Sequence, residues 1–326
     1  MFLAADEDEA EIVASAADFL ADAMPIQRLH AEPPRPDMDP DLRQKVAELG
    51  WFGLSAPETL GGSGLSAVEH VLFFREVGRN CGPVDMLAQS LGLLTAADDA
   101  KLAARILSGE TGVALAVEQG ERLRILGDPS ASVALAARPD GAQLLDISGL
   151  AAETRPPLDP TTSMRLVETA RATRLAGVSG GDVWRMGQLG TAAMLVGLAE
   201  TALDLIVEYA KIRETFGRKI GSYQAVRHPA ADMALRAEAA RSQLWYAAAA
   251  TKEGKADAQA HTDAAKHLAN IAGVTNADWN IQLHGGIGIT EEHDAHLLLK
   301  HALLLVKLFG SKRPLLASLL HARLED

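Results

Sequence analysis

Between Asp6 and Ala23, apolar side chains at Ile12, Val13, Ala16, Phe19 and Leu20 recur at helical spacing, and acids crowd the start, where the positive end of a helix dipole favours them. This predicts an amphipathic first helix. Pro33, Pro34, Pro36 and Pro40 impose an extended link, and Asp41 to Leu49 reads as a second helix closed by Gly50. Two glycine-rich turns follow, then a third helix from Ser66 to Gly78. The Gly82-Pro83 break precedes a fourth from about Val84 to Leu94 and a fifth from about Ala97 to Leu107. Between Gly109 and about Gly177 the period changes to short alternating or apolar runs, such as Val113 to Val117 and Val133 to Ala137, broken by Gly127-Asp128-Pro129 and Pro139-Asp140-Gly141. These read as strands joined by turns. From Gly181 onward the helical period returns over about Val183 to Ile212, Ala225 to Glu253, Asp257 to His284 and Glu291 to Leu308, with a last short helix from Pro314. Alanine is abundant on these helices, which favours helix and close helix contact, and short loops favour an antiparallel four-helix bundle. The fold class is therefore mainly α with a small β insert. It divides into an all-helical 1–108, a reduced β interval 109–178 and a helical bundle 179–326.

The chain has 326 residues, enough for a sizeable core in one to three domains. Acids outnumber bases 43 to 31 and the bases are dispersed, which argues against nucleic acid or a membrane as the main partner. The single cysteine, Cys81, leaves no intrachain disulfide and suits a reducing compartment, where it reads as a small buried residue. Met1 to Ala5 followed by acids is the reverse of a signal peptide's basic start, so the expected location is cytoplasmic. The longest apolar stretch, Leu189 to Val207, contains Glu200 and Asp204, which are costly in hydrocarbon, and reads as a buried helix of a soluble protein. Apolar residues on several faces of the 183–212 and 291–308 helices suggest subunit contacts.

Two stretches carry candidate chemistry. Arg213-Glu214-Thr215-Phe216-Gly217, running on to Gln224, follows a long apolar helix and ends it at Gly217. It displays a guanidinium, a hydroxyl and a ring fit to clamp a diphosphate and an adenine, because the planar guanidinium fork matches phosphate oxygens. Gln282-Leu283-His284-Gly285-Gly286-Ile287-Gly288 ends another helix in two glycines, which allow close backbone approach to a ligand, with the Gln282 amide one turn earlier. Each alone also fits an ordinary helix end.

Together, and in this order, the stretches resemble the acyl-CoA dehydrogenase family. Arg213, Thr215, Phe216, Gln224, Gln282 and Gly286, with Gly285 beside it, match the family's motif positions. The resemblance continues upstream through Leu49-Gly50-Trp51-Phe52-Gly53-Leu54, Pro57-Glu58, Gly61-Gly62-Ser63-Gly64-Leu65 and Glu76-Val77-Gly78-Arg79. It implies FAD as cofactor, with these residues holding the adenosine diphosphate half of an FAD bound mainly by a neighbouring subunit. It also implies an acyl-CoA substrate and an electron-transfer acceptor.

The family's reaction removes a proton alpha to a thioester carbonyl while a hydride leaves the beta carbon, and needs a carboxylate of raised pKa in a dry pocket. Ungapped counting puts the two family positions for that glutamate at Phe309 and about Gly187, and neither residue accepts a proton. The flavin-loop motif is reduced to Val117-Glu118-Gln119-Gly120, and no Trp lies between Trp51 and Trp184, so the chain is not expected to cradle its own flavin ring. Asp182 is the one substitute base near the right helix, though a helix N-cap accounts for it too. Glu200 reads as an ion-pair partner and His284 as a base, a cofactor contact or a packed residue. His293, His296 and His301 are expected on one helix, and no metal site is expected.

The elements serving a neighbour's FAD are thus kept, while those for the chain's own flavin ring and base are lost. This pattern resembles the short, glutamate-lacking subunit of actinobacterial heteromeric acyl-CoA dehydrogenases. A longer partner would supply the ring site and the base in an α2β2 assembly joined mainly through the C-terminal helices. Bulky thioesters, including steroid side chains, are the substrates that resemblance suggests. A self-sufficient homomeric dehydrogenase using Asp182, which predicts one FAD per chain, and a non-catalytic subunit with a vestigial motif are the alternatives.

Overall fold

The computed structural model describes residues 7–31 and 38–323, so Met1 to Asp6 and the prolines at 33, 34 and 36 lie outside the described residues. The first helix, α1 (Glu7–Ala23), carries its acids in the first turn. Asp39 accepts the Leu42 amide at 2.8 Å to open α2 (Pro40–Glu48) with Pro40 as its first residue, a position where a missing N–H costs nothing. Ser66 and Glu69 form a capping box at the start of α3 (Ala67–Arg79). The first domain is completed by α4 (Val84–Thr95) and α5 (Ala100–Leu107).

The resemblance motifs here are structural. Gly61 to Leu65 folds back on the Trp51 turn through Ser63 N–H to Gly53 O, Gly64 N–H to Ala56 O and Leu65 N–H to Leu54 O, each 2.9 Å. A Cβ on Gly62 would stand 2.2 Å from Ala56 O, so only glycine fits that staple. Trp51 stacks on Phe73 with ring centroids 5.0 Å apart.

Whether the middle interval closes into a domain is decided by pairing that no local pattern reveals. Seven strands, β1 (Val113–Gln119), β2 (Arg122–Leu126), β3 (Val133–Arg138), β4 (Gly141–Asp146), β5 (Glu153–Arg155), β6 (Met164–Glu168) and β7 (Thr173–Ser179), form one sheet in the order β5-β6-β2-β1-β3-β4-β7. The β1–β3 pair is parallel and the others antiparallel. The Gly127-Asp128-Pro129 turn is clamped onto the first domain. Asp128 pairs with Arg43 at 2.7 Å, and Asp85 accepts the Asp128 amide at 2.9 Å. The buried Gln89 donates to Ile106 O and Thr111 O and accepts from Val113 N, tying α4 and α5 to the first strand with no polar atom left over.

The second helical half comprises α6 (Asp182–Ile212), α7 (Gln224–Lys252), α8 (Ala258–His284), α9 (Ala295–Leu305) and α10 (Lys312–His321). Packed by α3, α4, α7, α8 and α9, α6 runs through the middle of the fold and is mostly buried. Much of its apolar surface is therefore covered within the chain, while Ile212 at its end stays exposed. On α9 likewise, Leu297, Leu298, Ala302 and Leu305 are buried. The α3–α6 crossing is held by reciprocal glycines. A Cβ on Gly78 would lie 2.0 Å from Met194 O, and one on Gly197 would lie 2.0 Å from Arg75 O. Glu200 is an ion-pair partner there, 2.7 Å from Arg75 and 3.2 Å from Arg79, while Arg79 also reaches Asp204 at 2.7 Å. Asn276 joins three long helices, donating to Ala199 O and Met233 O and accepting from Arg236.

Candidate functional site

The nucleotide-type motifs converge on one end of the bundle. α6 stops at Ile212, not at Gly217. Arg213 turns extended, and residues 214–219 form a hairpin, β8 (Glu214–Thr215) and β9 (Arg218–Lys219), with Phe216 and Gly217 as its two-residue turn. Both turn residues have positive φ, 50° and 77°, as the tight right-twisted hairpin requires. Glycine takes that conformation freely, whereas Phe216 is strained in it. Its ring is nonetheless 98 % exposed. Gln224 opens α7 just beyond.

α8 arrives at the same end. The Tyr209 ring on the last turns of α6 packs 4.5 Å from His284, the last residue of α8, and His293 packs on His284 at 4.4 Å. His284 is thus a packed residue, its Nδ1 2.7 Å from Asn280 O, with burial as the main cause holding its pKa below the ordinary value. It leaves Gly285 (φ 66°) and Gly286 at the surface, and a Cβ built on either meets nothing within 4 Å. Gln282 is exposed one turn earlier. Ile212, Ile287 and Ile289 are exposed beside these polar groups. Arg213, Thr215, Phe216, Gln224, Gln282, Gly285 and Gly286 therefore stand at the same end of the bundle, exposed except for the half-buried Thr215.

The two positions counted for a catalytic glutamate meet at the other end. The Phe309 ring lies directly on Gly187, where an added Cβ would be 2.3 Å from the ring carbons Cδ1 and Cε1. Trp184 flanks it with centroids 5.4 Å apart. Phe309 is buried and, like Phe216, sits at positive φ (51°). What remains is a cleft of about 140 Å³ between β1, β3 and these rings, lined by Leu115, Val117, Trp184, Leu308 and Phe309. At its edge Glu118 is paired with Arg138.

Asp182, the candidate substitute base, lies at the exposed start of α6. Its side chain is 93 % exposed and 3.3 Å from Arg185, which is not a dry pocket, and as the first residue inside α6 it makes no side-chain cap bond either. α9 begins at Ala295, so His293 is off the helix that was expected to hold it with His296 and His301. His301 is buried against Asp159 at 2.8 Å and Thr161 at 2.9 Å. Among the described residues no three His, Cys, Asp or Glu side chains gather as a metal site. Cys81 is buried.

Two residues carry no sequence signal. Tyr223 braces the hairpin, its hydroxyl donating to Thr215 O at 2.8 Å. Lys266 is fully buried on α8 and donates to Asn270 Oδ1 at 2.8 Å and Leu305 O at 3.0 Å. Asn270 in turn donates to Gly310 O at 3.3 Å, beneath the Phe309 turn. Burial lowers the Lys266 pKa to about 7, and a neutral amine has two donors for these two acceptors. Lysine in a helix of mixed polarity looks like a solvated residue, so only packing reveals it.

Residues 6–99 match the acyl-CoA dehydrogenase N-terminal domain and residues 184–318 the acyl-CoA dehydrogenase C-terminal domain. The chain is 32 % identical over 276 residues to the acyl-CoA dehydrogenase IpdE2 of Mycobacterium tuberculosis, covering 83 % of each. It is 35 % identical over 279 residues to the acyl-CoA dehydrogenase FadE34 of the same organism, covering 79 % of this chain but only 38 % of FadE34. Among solved structures, the ChsE4-ChsE5 complex from Mycobacterium tuberculosis superimposes with a TM-score of 0.81 at 23 % identity over 98 % of this chain and 97 % of that one. The Tcur3481-Tcur3483 steroid ACAD G363A variant does so at 0.79 and 26 % over 96 % of each chain. The chain belongs to the acyl-CoA dehydrogenase family.

Proposed function

We propose that this chain is the base-free subunit of a heteromeric acyl-CoA dehydrogenase, supplying the adenosine diphosphate half of an FAD site whose ring pocket and glutamate come from a partner subunit. One observation carries the reading. Phe309 packs on Gly187, so neither position counted for the base carries a carboxylate, while the residues matching the nucleotide motif stand at an open end of the bundle. Arg213 would fork onto the diphosphate, Gln224 and Gln282 would hydrogen-bond to it, and the Gly285-Gly286 backbone would lie against it. Phe216 would give up its exposure against the nucleotide or the partner, a burial that contributes about 2 kcal/mol. Bound there, the cofactor would supply hydride-accepting chemistry for the thioester. This chain's part is to bind, orient and exclude water.

The assembly of this reading is a cytoplasmic α2β2 complex reoxidised by an electron-transfer acceptor. The similarity to the steroid ACAD variant supports a bulky, steroid-derived acyl-CoA. The test is the flavin absorbance and native mass of the chain purified alone and co-expressed with its partner. A colourless chain alone and a yellow pair with one FAD per two chains is expected. A chain that is yellow alone at one FAD per chain overturns the reading.

A further inference from the structure

The hairpin that carries Thr215 and Phe216 is too small to hold itself. Its strands contribute two residues each, and a ribbon of that size is not stable in water by itself. Its Glu214–Lys219 ion pair is solvated, and the Phe216 ring at its tip packs on little of this chain to offset a strained φ. Bonds to the chain outside the ribbon have to fix it.

Lys219 Nζ to Ile212 O at 3.1 Å and Ser222 Oγ to Lys219 O at 2.7 Å hold its β9 side, and Tyr223 holds the β8 side that carries Thr215. The Tyr223 hydroxyl donates to Thr215 O at 2.8 Å, and its ring carries the Arg218 guanidinium at 4.0 Å. Its own backbone is part of the next element, since its N–H donates to Ile220 O and its carbonyl accepts the Val226 and Arg227 amides at the opening of α7. One residue thus joins the hairpin turn to the helix end that bears Gln224. Together with Ile220 N–H to Arg213 O at 2.9 Å, this sets Arg213, Thr215, Phe216 and Gln224 in one arrangement before any ligand arrives.

We infer that Tyr223 is a positioning residue for the flavin nucleotide: through its hydroxyl bond to the Thr215 carbonyl and its stacking with Arg218, it presets the hairpin in the binding arrangement. This rests on the reading given under Proposed function. When only a fraction of the free chains hold the competent hairpin, apparent affinity falls by that fraction.

The test is Tyr223→Phe in the co-purified pair, which deletes the hydroxyl and keeps the ring. The FAD dissociation constant is expected to rise about five-fold. The melting temperature of the FAD-free pair should not move, and amide exchange over residues 214–219 should quicken. Tyr223→Leu, which also removes the surface under Arg218, should weaken FAD further. An unchanged FAD affinity in Tyr223→Phe, or a loss matched by a fall in FAD-free melting temperature, overturns the inference. A wild-type pair that takes up no FAD sinks the functional reading as well, whereas wild-type uptake with an unaffected variant sinks this inference alone.

Discussion

Phe309 rests on Gly187 so closely that residue 187 cannot carry a Cβ without moving the ring: the added atom would stand 2.3 Å from two ring carbons. The pair lies between Trp184 and the α8 residues that hold the Phe309–Gly310 turn, so the ring has little room to retreat. A phenyl group here shields apolar surface, where a carboxylate would need a proton or a cation partner.

Gly187→Ala should therefore overpack this junction and destabilise the chain by about 1–3 kcal/mol, read as a lower denaturation midpoint with unchanged slope. Phe309→Glu, expressed without a partner, should show no flavin reduction by acyl-CoA thioesters, because a carboxylate alone does not rebuild the ring site. Turnover by that variant alone would contradict the shared-site reading.

A glycine buried in the α3–α6 crossing and one at the surface should separate stability from binding. Gly78→Ala forces a methyl into the Met194 backbone and should cost about 3 kcal/mol or more, with a melting temperature lower by roughly 4 °C or more. Gly286→Ala meets open space and should leave the melting temperature of the isolated chain unchanged while reducing the FAD content of the pair.

Arg213→Ala should weaken FAD binding by the pair roughly 10- to 100-fold, the range for losing hydrogen bonds to a charged group. Arg213→Lys should recover part of it, since a point charge replaces a planar fork. Equilibrium titration of the FAD-free pair with FAD reads both. An unaltered affinity in Arg213→Ala would make the motif vestigial.

Lys266 gives a pH signature. Its folded pKa, lowered by burial to about 7, lies below its unfolded value near 10.5, so the unfolded chain binds the extra proton between these values. Stability from this group is complete above the unfolded value, falls as pH drops toward about 7, and falls no further below. Lys266→Met cannot titrate. The melting temperature of wild type relative to this variant should therefore rise from pH 7 to pH 10, by about 5 °C. A difference constant across that range would show that Lys266 does not change its protonation on unfolding.

The sequence by itself determined the elements and the motif residues. Ile12, Ala16 and Leu20 place α1 because a helix repeats every few residues, and Ser66 with Glu69 marks the start of α3 because a cap is closed within four positions. Arg213, Phe216, Gln282 and Gly286 were legible as a set because their chemistry is carried in short contiguous stretches. Only the tertiary structure decided where each face went. The apolar surround of α6 is the same in sequence whether it meets a partner subunit or, as here, α3, α8 and α9 of its own chain. Closure of the middle interval into seven strands depended on pairing such as β1 with β3 and β2 with β6, set by contacts between separate segments. The Gly187–Phe309 contact, the buried Lys266 and the Tyr223 bond to Thr215 arise from packing, and a residue's type does not say what it will be packed against.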